Sequence, residues 1–446
     1  MTDEHGRTVR GKARVVSANR TQLAWDLVDP EAWLAADHRA RMVVGFVETL
    51  DLGLLYDKVK AREGTAGRPA ADPAVLFALW LLATMDGVGS ARELDRLTNQ
   101  DLAYRWVACG VPVNYHGLAD FRVAHADVLD GLLTRTLAAF LAEGLFDADE
   151  IMIDGTKVKA SAGKSSYKRA LRLDEAESAA KTRVLVLKAE VDADPAASSK
   201  RTQAARERGL RETQERVEKA RAKLAEIEAE KKERAKRSPK EVAEQKAPTA
   251  SLTDPEARRM RCADGAVRAS YNVQIAATTD HGFVTAIEAT DRRNDSGLVR
   301  PLLEASEQRL GRMAKRVLAD TGYAFAGDIT ALGNRSEAPV GVYIHPPKDR
   351  CDVKPETLLK RQKDREREPQ IIKDWRLRMT TQDAETIMTK RGRIERVNAN
   401  FKNRGFGTIL VRGLAKVQAI ALWHALAHNL ATAVRVRVAI KTAATG

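Results

Sequence analysis

Ile151-Met-Ile-Asp-Gly-Thr-Lys-Val158 has the pattern of a buried β-strand whose apolar run stops at a carboxylate, Asp154. Arg316-Val-Leu-Ala-Asp-Thr-Gly-Tyr323 repeats this arrangement with Asp320. A strand of this kind brings negative charge to the rim of a sheet, where hard cations such as Mg²⁺ bind oxygen ligands. A lone Asp after an apolar strand is more often a turn cap or a helix N-cap. Two such strands together with an acidic helix instead favour a two-metal site.

The third acid, Glu395, has the most specific surroundings. Arg391 lies four residues before it, Asn398 three residues after it and Lys402 seven residues after it, and these positions share one face of a helix. An apolar stripe beside that face consists of Ile387, Ile394, Val397 and Phe401. The spacing therefore predicts a helix that packs on a core and presents a carboxylate and two cations to one substrate.

These motifs resemble the DDE transposases of bacterial insertion sequences, in the group with a Tyr-(2)-Arg-(3)-Glu-(6)-Lys signature. Arg391, Glu395 and Lys402 fit that signature, and Met388 stands at its tyrosine position. The resemblance runs from about residue 68 to about residue 430. Further landmarks follow in order: Asp154-Gly-Thr-Lys157, Gly265, Tyr271-Asn-Val-Gln274, Ala319-Asp-Thr-Gly-Tyr323, Arg412-Gly-Leu-Ala-Lys416 and His428-Asn-Leu430.

The resemblance implies a ribonuclease H-like catalytic domain with Mg²⁺ or Mn²⁺ as cofactor. Asp154, Asp320 and Glu395 would be both the catalytic residues and the metal ligands. Residues expected to contact DNA are Arg391, Lys402, Asn398 and Lys157. The implied activity is metal-dependent DNA cleavage at the terminal inverted repeats of an element, followed by strand transfer into target DNA. Paired element ends imply a homodimer, and no covalent enzyme intermediate is expected.

Composition agrees with a polyanionic partner. The chain has 446 residues, with 75 Lys plus Arg, 61 Asp plus Glu and a formal net charge of +14. A basic excess is often only a solvated face, but beside a phosphoryl-transfer site it favours contact with a nucleic-acid backbone. The three cysteines are too few for a disulfide framework, and neither a secretory signal nor a membrane span is predicted. We therefore expect a cytoplasmic, nucleoid-associated protein of bacterial type with no membrane partner.

The pattern of apolar and turn residues changes along the chain and predicts four parts. We expect an α/β fold with a lead-in at 1–66, an N-terminal all-α domain at 67–146, a ribonuclease H-like catalytic domain at 147–168 and 256–438, and a coiled-coil hairpin insertion with its linker at 169–255. The helical N-terminal domain has two interpretations of equal weight, a DNA-end binding module of helix-turn-helix character or a bundle that buttresses the catalytic core.

Within the catalytic domain the predicted order is three strands, a helix, a strand, a helix, a strand and the acidic helix, as in a ribonuclease H-like fold. The predicted strands are 151–158, 271–277, 283–289, 316–319 and 340–345. In the insertion, Leu210, Val217 and Leu224 recur every seven residues, which predicts a long coiled-coil helix. Three interpretations of that arm stay open: it joins protomers, it contacts DNA, or it has no role in the chemistry.

Alternative functions remain at this point. A structure-selective nuclease on the same fold would cut DNA without joining it, and a catalytically inactive transposase derivative would only bind it. His424 and His428 lie one helical turn apart, as zinc ligands can, but Ala425 stands where a His-Glu-x-x-His motif has its glutamate. A packed core helix is therefore expected there.

Overall fold

The computed structural model describes residues 29–61, 69–193, 200–237, 247–347 and 355–445. Several expectations therefore lie outside the described residues: the lead-in before residue 29, residues 238–246 of the return linker, and Cys351.

The region before the sheet is helical; its first two helices fall within the predicted lead-in at 1–66, and the others fall within the predicted all-α domain at 67–146. Its helices are α1 (Arg39–Glu48), α2 (Gly53–Asp57), α3 (Pro73–Met85), α4 (Ala91–Gln100), α5 (Leu102–Ala108), α6 (Tyr115–Ala124) and α7 (Ala126–Ala142). The start of α3 shows why they form, because Asp72 accepts a hydrogen bond from the Ala74 N–H at 2.8 Å and Pro73 occupies the first helical position.

The later helices surround a sheet. They are α8 (Ala170–Ala193), α9 (Lys200–Arg237), α10 (Val299–Leu310), α11 (Ala326–Gly333), α12 (Pro355–Glu366), α13 (Gln370–Arg378), α14 (Gln382–Thr389), α15 (Gly392–Phe401) and α16 (Leu414–Thr445). The strands are β1 (Glu150–Lys159), β2 (Tyr167–Lys168), β3 (Ala250–Ser251), β4 (Arg258–Arg261), β5 (Val267–Thr278), β6 (Val284–Thr290), β7 (Arg316–Ala319) and β8 (Gly341–Tyr343).

The main sheet has the order β6-β5-β1-β7-β8, with β4 beside the first part of β5. β1 runs antiparallel to β5 and parallel to β7, which is parallel to β8. This mixed α/β arrangement is consistent with the predicted ribonuclease H-like domain. Strand β1 lies inside the sheet, between β5 and β7, and Ile151, Met152 and Ile153 are therefore fully buried. The burial of β1 becomes partial at Asp154.

The N-terminal helices share a hydrophobic core with the sheet through the C-terminal helix. Helix α16 packs on α3, α6, α7 and β6. At this junction the Trp423 indole N–H donates to the Arg122 carbonyl at 2.9 Å, and the Trp80 indole N–H donates to the Leu118 carbonyl at 2.9 Å. Within the part of the chain that the structure describes, no helix combines the length and apolarity needed to cross a bilayer.

The insertion consists of two helices, α8 and α9, that pack against each other. Val217 and Leu224 of the predicted heptad are buried, whereas Leu210 is half-buried. Helix α9 is also tied to the sheet, because Lys223 forms a 2.6 Å ion pair with Asp291 after β6. The helices thus lie where they were predicted, and their coiled-coil character stays a prediction.

Candidate active site

Strands β1 and β7 bring two carboxylates to the same rim of the sheet. Ile153 pairs with Ala319 in the parallel register, and Asp154 and Asp320 are the next residue of each chain segment. Neighbouring strands lie about 4.8 Å apart, so the two acids are adjacent. The charge of Asp320 accordingly helps to raise the pKa of Asp154. The structure therefore brings the two predicted strand acids together.

The Asp154 carboxylate is held on both oxygens. Oδ1 accepts a hydrogen bond from the Gly155 N–H at 2.9 Å, and Oδ2 accepts one from the Asn398 side-chain amide at 2.7 Å. Burial raises the pKa of Asp154 to about 6, although the Gly155 N–H and the Arg391 cation act in the opposite direction. The raised pKa therefore reflects mainly the loss of solvent around this carboxylate.

Asp320 follows β7 directly and is exposed. Its carboxylate accepts a hydrogen bond from the Thr321 N–H at 2.8 Å and so caps a 3₁₀ turn, Thr321–Tyr323. The plainer interpretation of this residue as a cap is correct, and it leaves the carboxylate at the rim next to Asp154. Capping and a site role are compatible here.

A further carboxylate, Asp295, lies at this site although the sequence did not predict it. Its Oδ1 accepts hydrogen bonds from the amides of Asn272 at 2.7 Å and Gln274 at 2.9 Å, and its charge also raises the pKa of Asp154. Asn272 and Gln274 alternate along β5, so both point to one face. Two amide side chains at alternate positions of a buried strand need hydrogen-bond partners, so they were the signal in the sequence that a polar group such as Asp295 lies beside β5.

Gly155 lies beneath this network, opposite Gln274 in the β1–β5 register. The buried Tyr323 hydroxyl donates to Gln274 Oε1, which ties the turn after Asp320 to β5. Burial, with the nearby Asp295 and Asp154 charges, holds the pKa of Tyr323 far above its usual range, so its hydroxyl keeps its proton. A Cβ on residue 155 would lie 2.5 Å from Gln274 Nε2, so any larger residue here would have to displace the Gln274 side chain.

Helix α15 faces Asp154 across the rim. Ile394, Val397 and Phe401 are buried, as the predicted stripe requires. Asn398 is buried, and its side-chain amide donates to Asp154, whereas its predicted contact with DNA stays a prediction. Ile387 is only half-buried and belongs to the separate helix α14, because a turn at residues 390–391 separates α14 from α15.

The cations near this helix occupy different surroundings. Arg391 is the residue before α15 and forms a 3.7 Å ion pair with Glu395, whose side chain is 70% exposed. Lys402 is exposed just after the helix. Lys157 lies on β1 opposite Asn272, on the face of Gly155 and not on that of Asp154. Met388, at the tyrosine position of the signature, packs half-buried against the core.

The donors at this rim fit a hard divalent cation only in part. Asp154, Asp320 and the amide of Asn398 supply oxygen, and Asn398 Oδ1 is buried with no hydrogen-bond partner. Carboxylate and amide oxygens are the ligands that Mg²⁺ uses. Among the residues that the structure describes, however, no three His, Cys, Asp or Glu side chains are close enough to hold a metal ion. Glu395 pairs with Arg391 and completes no such group.

His424 and His428 belong to the core of α16, as expected. Both are buried, and His428 Nε2 hydrogen-bonds to the Gly282 carbonyl at 2.9 Å. Burial lowers the pKa of His424 to about 3 and that of His428 to about 4. Both rings are therefore neutral over the physiological range.

Comparison with known families gives two matches. A family model described as "Transposase DDE domain" matches residues 241–430, which include Asp295, Asp320 and Glu395. A second model, described as "Transposase domain (DUF772)", matches residues 28–123, which include α1 to α5 and most of α6. No curated protein and no solved structure matches the chain significantly.

Proposed function

Because this chain belongs to the DDE transposases of insertion sequences, we propose that it cuts DNA at the ends of its own element and joins the freed 3′ ends to target DNA. The family consists of DNA-cutting phosphoryl-transfer enzymes that generally use divalent metal ions. The observation that carries the proposal is the adjacency of Asp154 and Asp320 on neighbouring parallel strands. A ribonuclease H-like catalytic domain is the fold that this strand order supports.

The carboxylates of Asp154 and Asp320 would hold the metal ions, Mg²⁺ or Mn²⁺, and Glu395 would join them from α15. When bound, divalent metal ions in such sites activate the attacking oxygen and stabilise the leaving oxygen of an in-line displacement. Asn398 would fix the orientation of Asp154 through their 2.7 Å hydrogen bond. Asn398 Oδ1 is buried with no hydrogen-bond partner and would be a further oxygen ligand for such an ion.

The cations would hold the DNA. Arg391 pairs with Glu395 at 3.7 Å and acts electrostatically on Asp154, so it is placed to contact the phosphate nearest the carboxylates. Lys402 is exposed one turn beyond Asn398 and would contact a flanking phosphate, as would Lys157 from the other face of β1. Because the reaction joins two element ends to a target, we further propose that two copies assemble on paired ends.

The test is cleavage and joining of labelled DNA that carries the element's terminal inverted repeats, with Mg²⁺, Mn²⁺ or EDTA. Wild-type protein should nick and join only with metal, and Glu395→Gln and Asp320→Asn should lose both steps. Glu385→Gln is the matched control, because Glu385 is an exposed acid of the preceding helix and should be dispensable.

Three outcomes count against the proposal in different ways. Nicking without joining would indicate a nuclease, and binding without nicking in any metal would indicate an inactive derivative. Full joining by Asp320→Asn would refute the assignment of the carboxylates.

A further inference from the structure

A groove lined by arginines separates the long helix α9 from the loop that follows β6. Its larger part is a cleft of about 660 Å³. That cleft is lined by Glu226, Ala229, Glu230, Glu233, Arg234, Arg258, Arg292, Arg293 and Asn294. A second cleft of about 440 Å³ shares Arg258 and Arg293 with the first and adds Arg259, with no acid in its lining. The two clefts together are called the arginine groove.

The glutamates of the groove already have cationic partners. The ion pairs are Glu226 with Lys223 at 2.6 Å, Glu233 with Lys236 at 2.6 Å and Glu230 with Arg258 at 3.0 Å. In contrast, Arg234, Arg292 and Arg293 form no ion pair within the described part of the chain. The groove therefore has guanidinium groups that remain available to an anion.

Arg293 shows the electrostatic situation most clearly. Burial lowers the pKa of its guanidinium, and the cations of Arg258, Arg234 and Arg259 lower it further, against the opposing charge of Glu230. Like charges are thus held close together at a partly desolvated position. Such a position favours an arriving polyanion, because each phosphate relieves repulsion among several cations.

The loop that forms one wall of the groove continues directly to Asp295. Arg292 and Arg293 stand between the end of β6 at Thr290 and Asp295, whose carboxylate receives the amides of Asn272 and Gln274. The other wall is fixed by ion pairs from α9 to the sheet, at Asp291 and Arg258. A DNA strand that leaves the active site along this loop would therefore pass Arg292 and Arg293 next.

We propose that the arginine groove binds the phosphodiester backbone of the DNA on which the active site acts, so that the helical insertion forms one wall of a DNA path. This inference rests on the proposed function. Guanidinium groups suit phosphate because their planar fork donates paired hydrogen bonds. The groove reads no sequence, and its contribution is electrostatic and salt-dependent.

The test uses the full chain and DNA carrying the terminal repeats, with binding measured by fluorescence anisotropy from 50 to 200 mM salt in EDTA. The variant Arg234→Gln/Arg292→Gln/Arg293→Gln removes three cations from the groove. Each lost phosphate contact reduces the slope of log affinity against log salt by about 0.9, so the slope should fall by about 2 to 3. Over that salt range the wild-type affinity should drop about 40-fold more than that of the variant.

The matched control removes three exposed arginines from the same helix outside the groove, Arg206→Gln/Arg208→Gln/Arg211→Gln. Its slope should stay within about 1 of wild type. The triple lysine replacement of Arg234, Arg292 and Arg293 should restore the slope, because lysine keeps the charge. An unchanged slope in the groove variant, or an equal fall in the control, overturns the proposal.

Because binding is measured without metal, its outcome is independent of catalysis. Failure of wild-type protein to nick DNA with Mg²⁺ or Mn²⁺ would count against the proposed function. A second measurement places a photo-reactive residue at Ala229, which lines the groove, or at Ala205, which lies on the same helix outside it. Crosslinking to DNA from position 229 alone supports the proposal, and crosslinking from neither position overturns it.

Discussion

Gly155→Ala should destabilise the protein through one identifiable contact. The new Cβ would lie 2.5 Å from Gln274 Nε2, 3.0 Å from the Tyr323 hydroxyl and 3.1 Å from Asn272 Oδ1. Real Cβ atoms essentially never approach another heavy atom as closely as the first of these distances. The Gln274 amide therefore has to move, and it is not free to move because Asp295 and Tyr323 hold its two ends.

The size of the effect follows from the hydrogen bonds that the movement breaks. The bond from Gln274 to the Asp295 carboxylate contributes about 1.5 to 3 kcal/mol, and that between the Tyr323 hydroxyl and Gln274 contributes about 0.5 to 1.5 kcal/mol. Replacing glycine by alanine in a strand returns up to about 1 kcal/mol through the unfolded chain. The free energy of unfolding should therefore fall by about 1 to 4 kcal/mol.

A double-mutant cycle isolates this contact. Urea titrations followed by circular dichroism would compare Gly155→Ala in the wild type with Gly155→Ala in Gln274→Ala. Where Gln274 is already truncated, the alanine should be neutral or slightly stabilising, which gives a coupling of at least about 2 kcal/mol. An equal loss of stability in both backgrounds would refute the reasoning, because the cause would then lie in the β1 backbone and not in the amide.

Two further predictions concern Asp295 and the two buried histidines of α16. Asp295→Ala should slow cleavage by about 10- to 100-fold, as expected when a residue that orients a metal site is lost, and Asp295→Asn should restore most of the rate because it keeps an acceptor for the β5 amides. Asp328→Ala is the control, since Asp328 accepts hydrogen bonds from the N–H groups of residues 299 and 300 at the start of α10. Its loss should lower stability without changing the cleavage rate at saturating metal. A cleavage rate of Asp295→Ala within twofold of wild type would contradict the prediction. His424 and His428 have folded pKa values of about 3 and about 4, below the unfolded value near 6.5, so the stability they give is complete above pH 6.5 and is lost as pH falls towards 4. The two histidines should account for a loss of about 3 kcal/mol from pH 7.5 to 5.5, read in urea titrations as the difference between the wild type and His424→Gln/His428→Gln, because the raised pKa of Asp154 adds stability over the same range in both proteins. The difference should persist when the exposed His116 is replaced, and a difference that does not change with pH would contradict this.

The positions of Asp154 and Asp320 could be predicted because a local pattern determines them. Each follows a run of apolar residues that the structure buries in neighbouring strands. Strand β7 ends at Ala319, whereas β1 continues to Lys159 and only its pairing with β7 ends at Ile153. Helical periodicity likewise placed Glu395 and Asn398 on one face of α15. Periodicity cannot give the distance from a helix face to a strand rim, which is why it did not show that Asn398 holds Asp154 whereas Glu395 pairs with Arg391.

The features that sequence reasoning missed share a different cause. Nothing local distinguishes Asp295 from the polar residues before it, because its role comes from two amides on β5. Strand β4 was missed because Arg258 occupies an inward position that an apolar residue normally fills. Arg258 can be buried there because Glu230, from the insertion, accepts its guanidinium hydrogen bonds at 3.0 Å.

The ion pair between Glu230 and Arg258 joins helix α9 of the insertion to strand β4 of the main sheet. Glu230 of the insertion supplies the carboxylate nearest to the buried Arg258 of β4, beside the loop that leads to Asp295. Removing Glu230 would leave Arg258 buried without its nearest carboxylate and would loosen the wall that α9 forms. The same ion pair therefore joins the insertion to the main sheet and forms part of the lining of the arginine groove.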